Sequence, residues 1–157
     1  MKSETGRGTT FDIFFPIVEG ESETEMIGAD DIPGGSERIL FVDDEPAMSK
    51  IYTSMLERLG YSVSFRTSSV EALEAFKAKP DKYDVVITDQ TMPHLTGQMM
   101  AREMMAIRSD IPVILCTGHS DLIDEKRAEA MGIDAFVMKP ISMGHIAKTI
   151  REVLDNR

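Results

Sequence analysis

From Arg38 onward the chain alternates short apolar runs with amphipathic stretches. RILFVDD (38–44), YSVSFR (61–66), YDVVITD (83–89), IPVILCT (111–117) and DAFVMK (134–139) are short enough to be strands. Between them lie helical patterns. PAMSKIYTSMLERLG (46–60) carries Met48, Ile51, Tyr52, Met55, Leu56 and Leu59 at helical spacing and ends at Gly60. SSVEALEAFKAK (68–79) opens with Ser, offers Val70, Leu73 and Phe76, and is stopped by Pro80. Thr96–Ile107 predicts a Met-rich helix, with Met99, Met100, Met104 and Met105 as flexible packing. SDLIDEKRAEAMG (120–132) predicts a polar helix. SMGHIAKTIREVLDNR (142–157) predicts a last helix with Ile146, Ile150, Val153 and Leu154 inward.

Five strand–helix units in succession predict an α/β domain, a doubly wound parallel sheet of the (βα)5 kind with helices on both faces. Right-handed crossovers leave few topologies. Ligands of such sheets bind beyond the carboxyl ends of the strands. The residues at those ends are Asp43 and Asp44, then Asp89, then Thr117 and Gly118, then Lys139 and Pro140.

The first 37 residues read differently. TTFDIFFPIV (9–18) is strand-like, with Phe11, Ile13 and Phe15 to one side, and EGESETEMIGADDIPGG (19–35) is an acidic linker. A lone strand cannot bury its own face, so it borrows a neighbour or stays mobile; its exposed edge invites self-association through residues 9–18. Composition sharpens this division. Of the net charge of −10, residues 1–37 supply most: Lys2 and Arg7 stand against nine acids. That balance argues against nucleic-acid binding. No apolar run approaches the ~20 residues of a membrane span. The N-terminus shows no signal-peptide pattern, and the single cysteine, Cys116, reads as a small buried hydrophobe. The chain reads as cytoplasmic, without membrane contact of its own.

Three carboxylates brought to one sheet edge repel one another, and a hard divalent cation removes that repulsion. Mg²⁺ takes oxygen ligands and keeps several waters. Lys139 suits pairing with a carboxylate or a phosphate oxygen, Thr117 donates a hydroxyl, and Gly118 leaves room beside it. Asp89 then reads as a phosphoryl-accepting nucleophile. Each residue alone has a plainer reading: Asp44 or Glu45 could cap the next helix, Thr117 could do the same, and Lys139–Pro140 could be a turn. The set, in this order at four strand ends, is far more specific than any member.

The stretches ILFVDDEP, VVITDQTMPHLTG, VILCTG and AFVMKP, spanning Arg38–Leu154, resemble the receiver domains of two-component response regulators. That resemblance implies a flavodoxin-like fold with strand order 2-1-3-4-5. It implies Mg²⁺ held by Asp43, Asp44, Asp89 and the backbone carbonyl of Thr91. It implies phosphoryl oxygens met by Thr91, Thr117, Gly118 and Lys139, and a commonly cis Lys139–Pro140 bond. It makes Thr117 and Phe136 candidates for a switch, although the many relatives that carry Tyr at the place of Phe136 have a hydroxyl that Phe136 lacks. His119 would at most modulate phosphoryl lifetime.

SETGRGTTFDIFFP (3–16) resembles the closing turn and strand of the ATP-binding domain of sensor histidine kinases. The Gly-x-Gly in it is not a phosphate loop, because no strand is expected before it and no helix after. These resemblances imply three parts: 1–19, a remnant of a kinase ATP-binding domain; 20–37, an acidic linker; and 38–157, the receiver. They imply the C-terminal part of a hybrid sensor histidine kinase, a transferase, whose receiver catalyses only its own phosphorylation and dephosphorylation. Its partners would be a histidine kinase domain and a histidine phosphotransfer protein. Two alternatives are a stand-alone partner-binding regulator and an Asp-nucleophile phosphatase of the haloacid-dehalogenase type. The latter needs its nucleophile after the first strand, where the order here is Asp43-Asp44-Glu45.

Overall fold

A computed structural model describes residues 2–4, 6, 8–10, 12, 14, 32–118 and 132–156. Two short strands come first: β1 (Lys2–Glu4) and β2 (Gly8–Thr10), paired antiparallel. The main domain follows as β3 (Arg38–Val42), α1 (Pro46–Glu57), β4 (Ser62–Arg66), α2 (Ser69–Ala78), β5 (Val85–Asp89), α3 (Gly97–Ile107), β6 (Val113–Thr117), β7 (Ala135–Met138) and α4 (Met143–Asp155). Its five strands form one sheet in the order β4-β3-β5-β6-β7, parallel throughout. This is the doubly wound topology expected, with strand order 2-1-3-4-5 when counted from Arg38. The helix expected over 120–132 and His119 lie outside the described residues, save Gly132.

Strand alternation divides the core into two layers. Ile39, Phe41, Val85, Ile87, Ile114 and Cys116 face α1 and α4, where Tyr52, Leu56, Ile146 and Ile150 meet them. Leu40, Val42, Val86, Val113 and Leu115 face α2 and α3, against Leu73, Phe76, Met100 and Met104. Because both faces are covered, β5 and β6 are buried at every position, which is why they read as unbroken apolar runs. Each fully buried Leu or Ile stabilises the fold by ~1.5–3 kcal/mol. Phe41 also stacks between Tyr52 and Phe65, at centroid distances of 4.9 and 5.3 Å.

Three residues expected to pack inward point outward: Ile51 is 55%, Val70 44% and Met99 54% exposed. At 100° per residue, Val70 sits roughly 110° from the centre of the arc made by Ser69, Ala72, Leu73 and Phe76, and Ile51 is displaced likewise from Tyr52 and Leu56. Side-chain caps start three helices as composition suggests: Ser68 accepts from the Glu71 N–H, Thr96 from Met99 and Ser142 from His145.

The N-terminal strand expected over 9–18 begins at Gly8 and has a neighbour that the pattern did not disclose, Lys2–Glu4. Of residues 11–18, only 12 and 14 are described, and Phe14 is 91% exposed. The Gly6–Arg7–Gly8 stretch does follow a strand, contrary to expectation. It leads into a second strand, so it still lacks the helix of a phosphate loop.

Candidate functional site

The fold carries the predicted residues to one edge. Asp43 follows β3 directly. Its N–H donates to the Arg66 carbonyl (3.1 Å), and its Oδ1 accepts the Glu45 N–H (2.9 Å). That bond secures the turn into α1, whereas the Glu45 side chain makes no cap. Glu45 occupies the N-cap position, but neither it nor Asp44 caps α1 through a side chain, and Asp43 fixes the Glu45 backbone while its other oxygen still faces the site. Pro46 opens α1, where its missing N–H costs nothing.

Asp89 is the last residue of β5 and Thr117 the last of β6; they are 7% and 8% exposed. Lys139 comes just after β7, and its N–H donates to the Thr117 carbonyl (2.8 Å). Its ammonium reaches across the edge to Asp43 Oδ2 (2.8 Å) and Asp89 Oδ1 (2.9 Å). The Lys139–Pro140 bond is cis. Carboxylate oxygens of Asp43, Asp44 and Asp89 lie within 4.8 Å of one another. Among the described residues this is the one group of three acids, histidines or cysteines close enough to hold a cation.

Electrostatics follow from this crowding. Burial pushes the Asp89 carboxyl above its ordinary range, Lys139 pulls it back, Asp43 pushes it up again, and the net shift is upward. Burial works against the Lys139 charge, but the bonds to Asp43 and Asp89 outweigh it and hold the ammonium protonated. Cys116, behind Asp89 on β6, has its thiol pushed up to about 12 by burial, so it is an inert core residue as expected.

Of the other predicted residues, Thr91 is exposed in the loop after β5, and Gly118 is half-buried after β6. Phe136 is half-buried on β7, opposite Leu115, and packs on the α2–α3 layer. Two residues of this edge escaped the sequence reading. A Cβ on Gly97 would collide with the Asp89 carbonyl oxygen and come within 2.7 Å of Leu115 Cδ1, so the start of α3 presses directly on the acidic strand end. His94 has φ +68° inside a three-residue turn, with the Leu95 N–H donating to the Pro93 carbonyl (2.9 Å). Both lie in the TMPHLTG stretch, where Pro and Gly flagged a turn without indicating its type.

Residues 39–151 match the sequence profile of the response regulator receiver domain. The chain belongs to this family. Among curated relatives, the sensor kinase CckA of Brucella abortus (strain 2308) is 31% identical over 99% of this chain and 17% of its own length. The probable transcriptional regulator ycf27 of Cyanidium caldarium is 36% identical over 74% of this chain and 45% of its own. The chain thus spans less than half of either relative. A receiver domain protein from Clostridium thermocellum superposes with a TM-score of 0.73 at 32% identity, covering 76% of this chain and 95% of that one. The receiver of sensor histidine kinase PA1611 from Pseudomonas aeruginosa PAO1, which has a magnesium ion coordinated in its active-site cleft, gives 0.68 at 23% identity over 77% and 99%. This chain is therefore a receiver domain of two-component signalling, with relatives among both hybrid kinases and separate regulators.

Proposed function

We propose that Asp89 accepts a phosphoryl group from a phosphohistidine, and that this receiver belongs to a hybrid sensor histidine kinase. One observation carries the chemical reading: Lys139 bridges two buried carboxylates, with a third oxygen ligand inside 4.8 Å. The donor set fits Mg²⁺, being all hard carboxylate oxygen from Asp43, Asp44 and Asp89, with the Thr91 carbonyl as a further candidate. Bound there, the ion would neutralise charge on the phosphoryl oxygens and on the acids.

The chain's own groups do the rest. An Asp89 oxygen attacks phosphorus, the P–N bond to the donor imidazole breaks, and its electron pair returns to the ring nitrogen, which takes a proton. Lys139 releases Asp89 to meet a phosphoryl oxygen while keeping its contact with Asp43. The Thr117 hydroxyl, at the end of β6, and the Gly118 backbone just past it would meet the same oxygens. Thr117 and Phe136 would carry the change onward, and His119 would tune the lifetime of the acyl phosphate.

The hybrid origin rests on coverage. CckA matches along 99% of the chain, and the aerobic respiration control sensor protein ArcB of Escherichia coli (strain K12) along 100%, whereas ycf27 matches 74%. The 116 residues matched by ycf27 are about the length of the receiver alone, so we read the added coverage as the N-terminal stretch, a kinase remnant over 1–19 and a linker over 20–37. A histidine phosphotransfer protein is a natural acceptor, and the free, buried Cys116 suits the reducing cytoplasm.

A labelled phosphohistidine donor tests the proposal. Label should transfer to the wild type with Mg²⁺ and not to Asp89→Asn; equal labelling of both would sink it.

A further inference from the structure

The Pro33–Gly34–Gly35 stretch reads as linker in the sequence, yet the structure lays it against the receiver. The Gly35 N–H donates to the Leu59 carbonyl (3.0 Å), and the Glu37 carbonyl accepts the Ser62 N–H (3.0 Å). Arg151 of α4 donates to Glu37 Oε1 at 2.6 Å while its guanidinium lies 5.8 Å from the centre of the Tyr61 ring. Tyr61 is 3% exposed. Three glycines make this approach possible. A Cβ on Gly34 would strike the Leu59 carbonyl oxygen. One on Gly60, which has φ +96°, would strike the Gly35 carbonyl oxygen. One on Gly35 would strike the Glu37 carboxylate and stand 2.7 Å from Tyr61 Cε1 and 3.2 Å from Arg151 Nη1. Backbone thus lies on backbone, with an ion pair closing over it.

We infer that Pro33–Glu37 is a docking strap: its binding surface is Leu59–Tyr61 plus Arg151, and it fixes where the chain preceding the receiver is attached. Both glycine contacts and the Glu37–Arg151 pair are at the amino ends of the parallel strands, one strand length (~16 Å) from the acidic edge. Whatever precedes Pro33 is therefore held from the pole opposite the site. The attachment point is Pro33 and not Arg38, which takes five residues, ~17 Å of contour, out of the reach of any tether to a preceding domain. For a donor on the same chain, tether length sets the effective concentration at Asp89.

The strap is independent of the phosphoryl reading, and amide exchange measured by NMR on the 157-residue chain tests it without phosphorylation. The Gly35 amide should exchange well below the random-coil rate in the wild type. Arg151→Met and Gly35→Ala should each raise its exchange by at least about tenfold, the loss of one charge-assisted bond or of the close approach. Amides of β5 and β6 should stay protected, and spectral changes on adding beryllofluoride with Mg²⁺ should match the wild type. Random-coil exchange of Gly35 in the wild type overturns the inference, as does undiminished protection in both variants. Loss of core protection together with Gly35 in Arg151→Met overturns the strap as a separable joint, and Glu37→Gln, which keeps the shape, then decides whether the ion pair matters at all.

Discussion

Asp44 is the least buried of the three acids at the strand ends, and its replacement by Asn should stabilise the metal-free protein. Its carboxylate lies within 4.8 Å of those of Asp43 and Asp89. At that distance two unit charges repel by ~0.9 kcal/mol in a water-like dielectric and ~3.5 kcal/mol at an effective dielectric of 20. Asp44 is open to solvent, so the lower figure applies: two neighbours give ~2 kcal/mol, of which the Lys139 ammonium bound to both returns at least ~0.5 kcal/mol. The amino end of α1, two residues on, favours a negative charge by ~0.5 kcal/mol, which is lost on substitution. The net expectation is a gain of ~1 kcal/mol, or roughly 3 °C in Tm. Thermal unfolding followed by circular dichroism in EDTA measures this. Mg²⁺ should then reverse the order. At 100 times its Kd an ion stabilises the wild type by ~2.7 kcal/mol, while Asp44→Asn has lost a ligand and gains less. A variant no more stable than wild type in EDTA would refute the reasoning. It would mean that Lys139, 2.8 and 2.9 Å from the other two acids, already cancels the repulsion.

Asp89, whose folded pKa is raised above its ordinary 3.8, contributes stability that is fully present below pH 3.8 and lost as pH rises through the folded value. In EDTA, Asp89→Asn should therefore gain on the wild type as pH is raised from 3.5 to 7, and a stability gap that stays flat across urea titrations at these pH values contradicts the shift. His94, at φ +68°, bears the ~1–2 kcal/mol cost of a left-handed L-residue. After the ~0.5–1 kcal/mol entropy cost of glycine, His94→Gly should raise stability by ~0.5–1 kcal/mol, seen as a higher urea midpoint with unchanged slope; an unchanged midpoint would show that the turn is not strained.

The strands were legible because a sheet covered on both faces demands unbroken apolar runs, and β5 and β6 are buried throughout. The acidic edge was legible for a related reason: Asp43, Asp89, Thr117 and Lys139 each interrupt such a run at its carboxyl end. Helical spacing, by contrast, names an arc and not its centre, so Ile51 and Val70 were assigned to the wrong side of it. Gly97, Gly34 and Gly35 escaped because their role is the close approach of a distant backbone, which no local periodicity records. Lys2–Glu4 is too short and polar to announce itself as a strand, and it is defined only by its pairing with Gly8–Thr10.

Three arginines staple the pole away from the acids. Arg38 grips Asp84 through its backbone N–H, Nε and Nη2 at 2.7–2.9 Å, tying β3 to the entry of β5. Arg108 donates to the carbonyls of Pro80 and Tyr83, both at 2.8 Å, and Arg151 holds Glu37. At the opposite pole, among the described residues, Asp43, Asp44 and Asp89 gather around the Lys139 ammonium. The base of the domain is thus tied by arginine contacts that share no residue with the reactive edge. A change of partner at Lys139 can therefore leave the way the preceding chain is attached undisturbed.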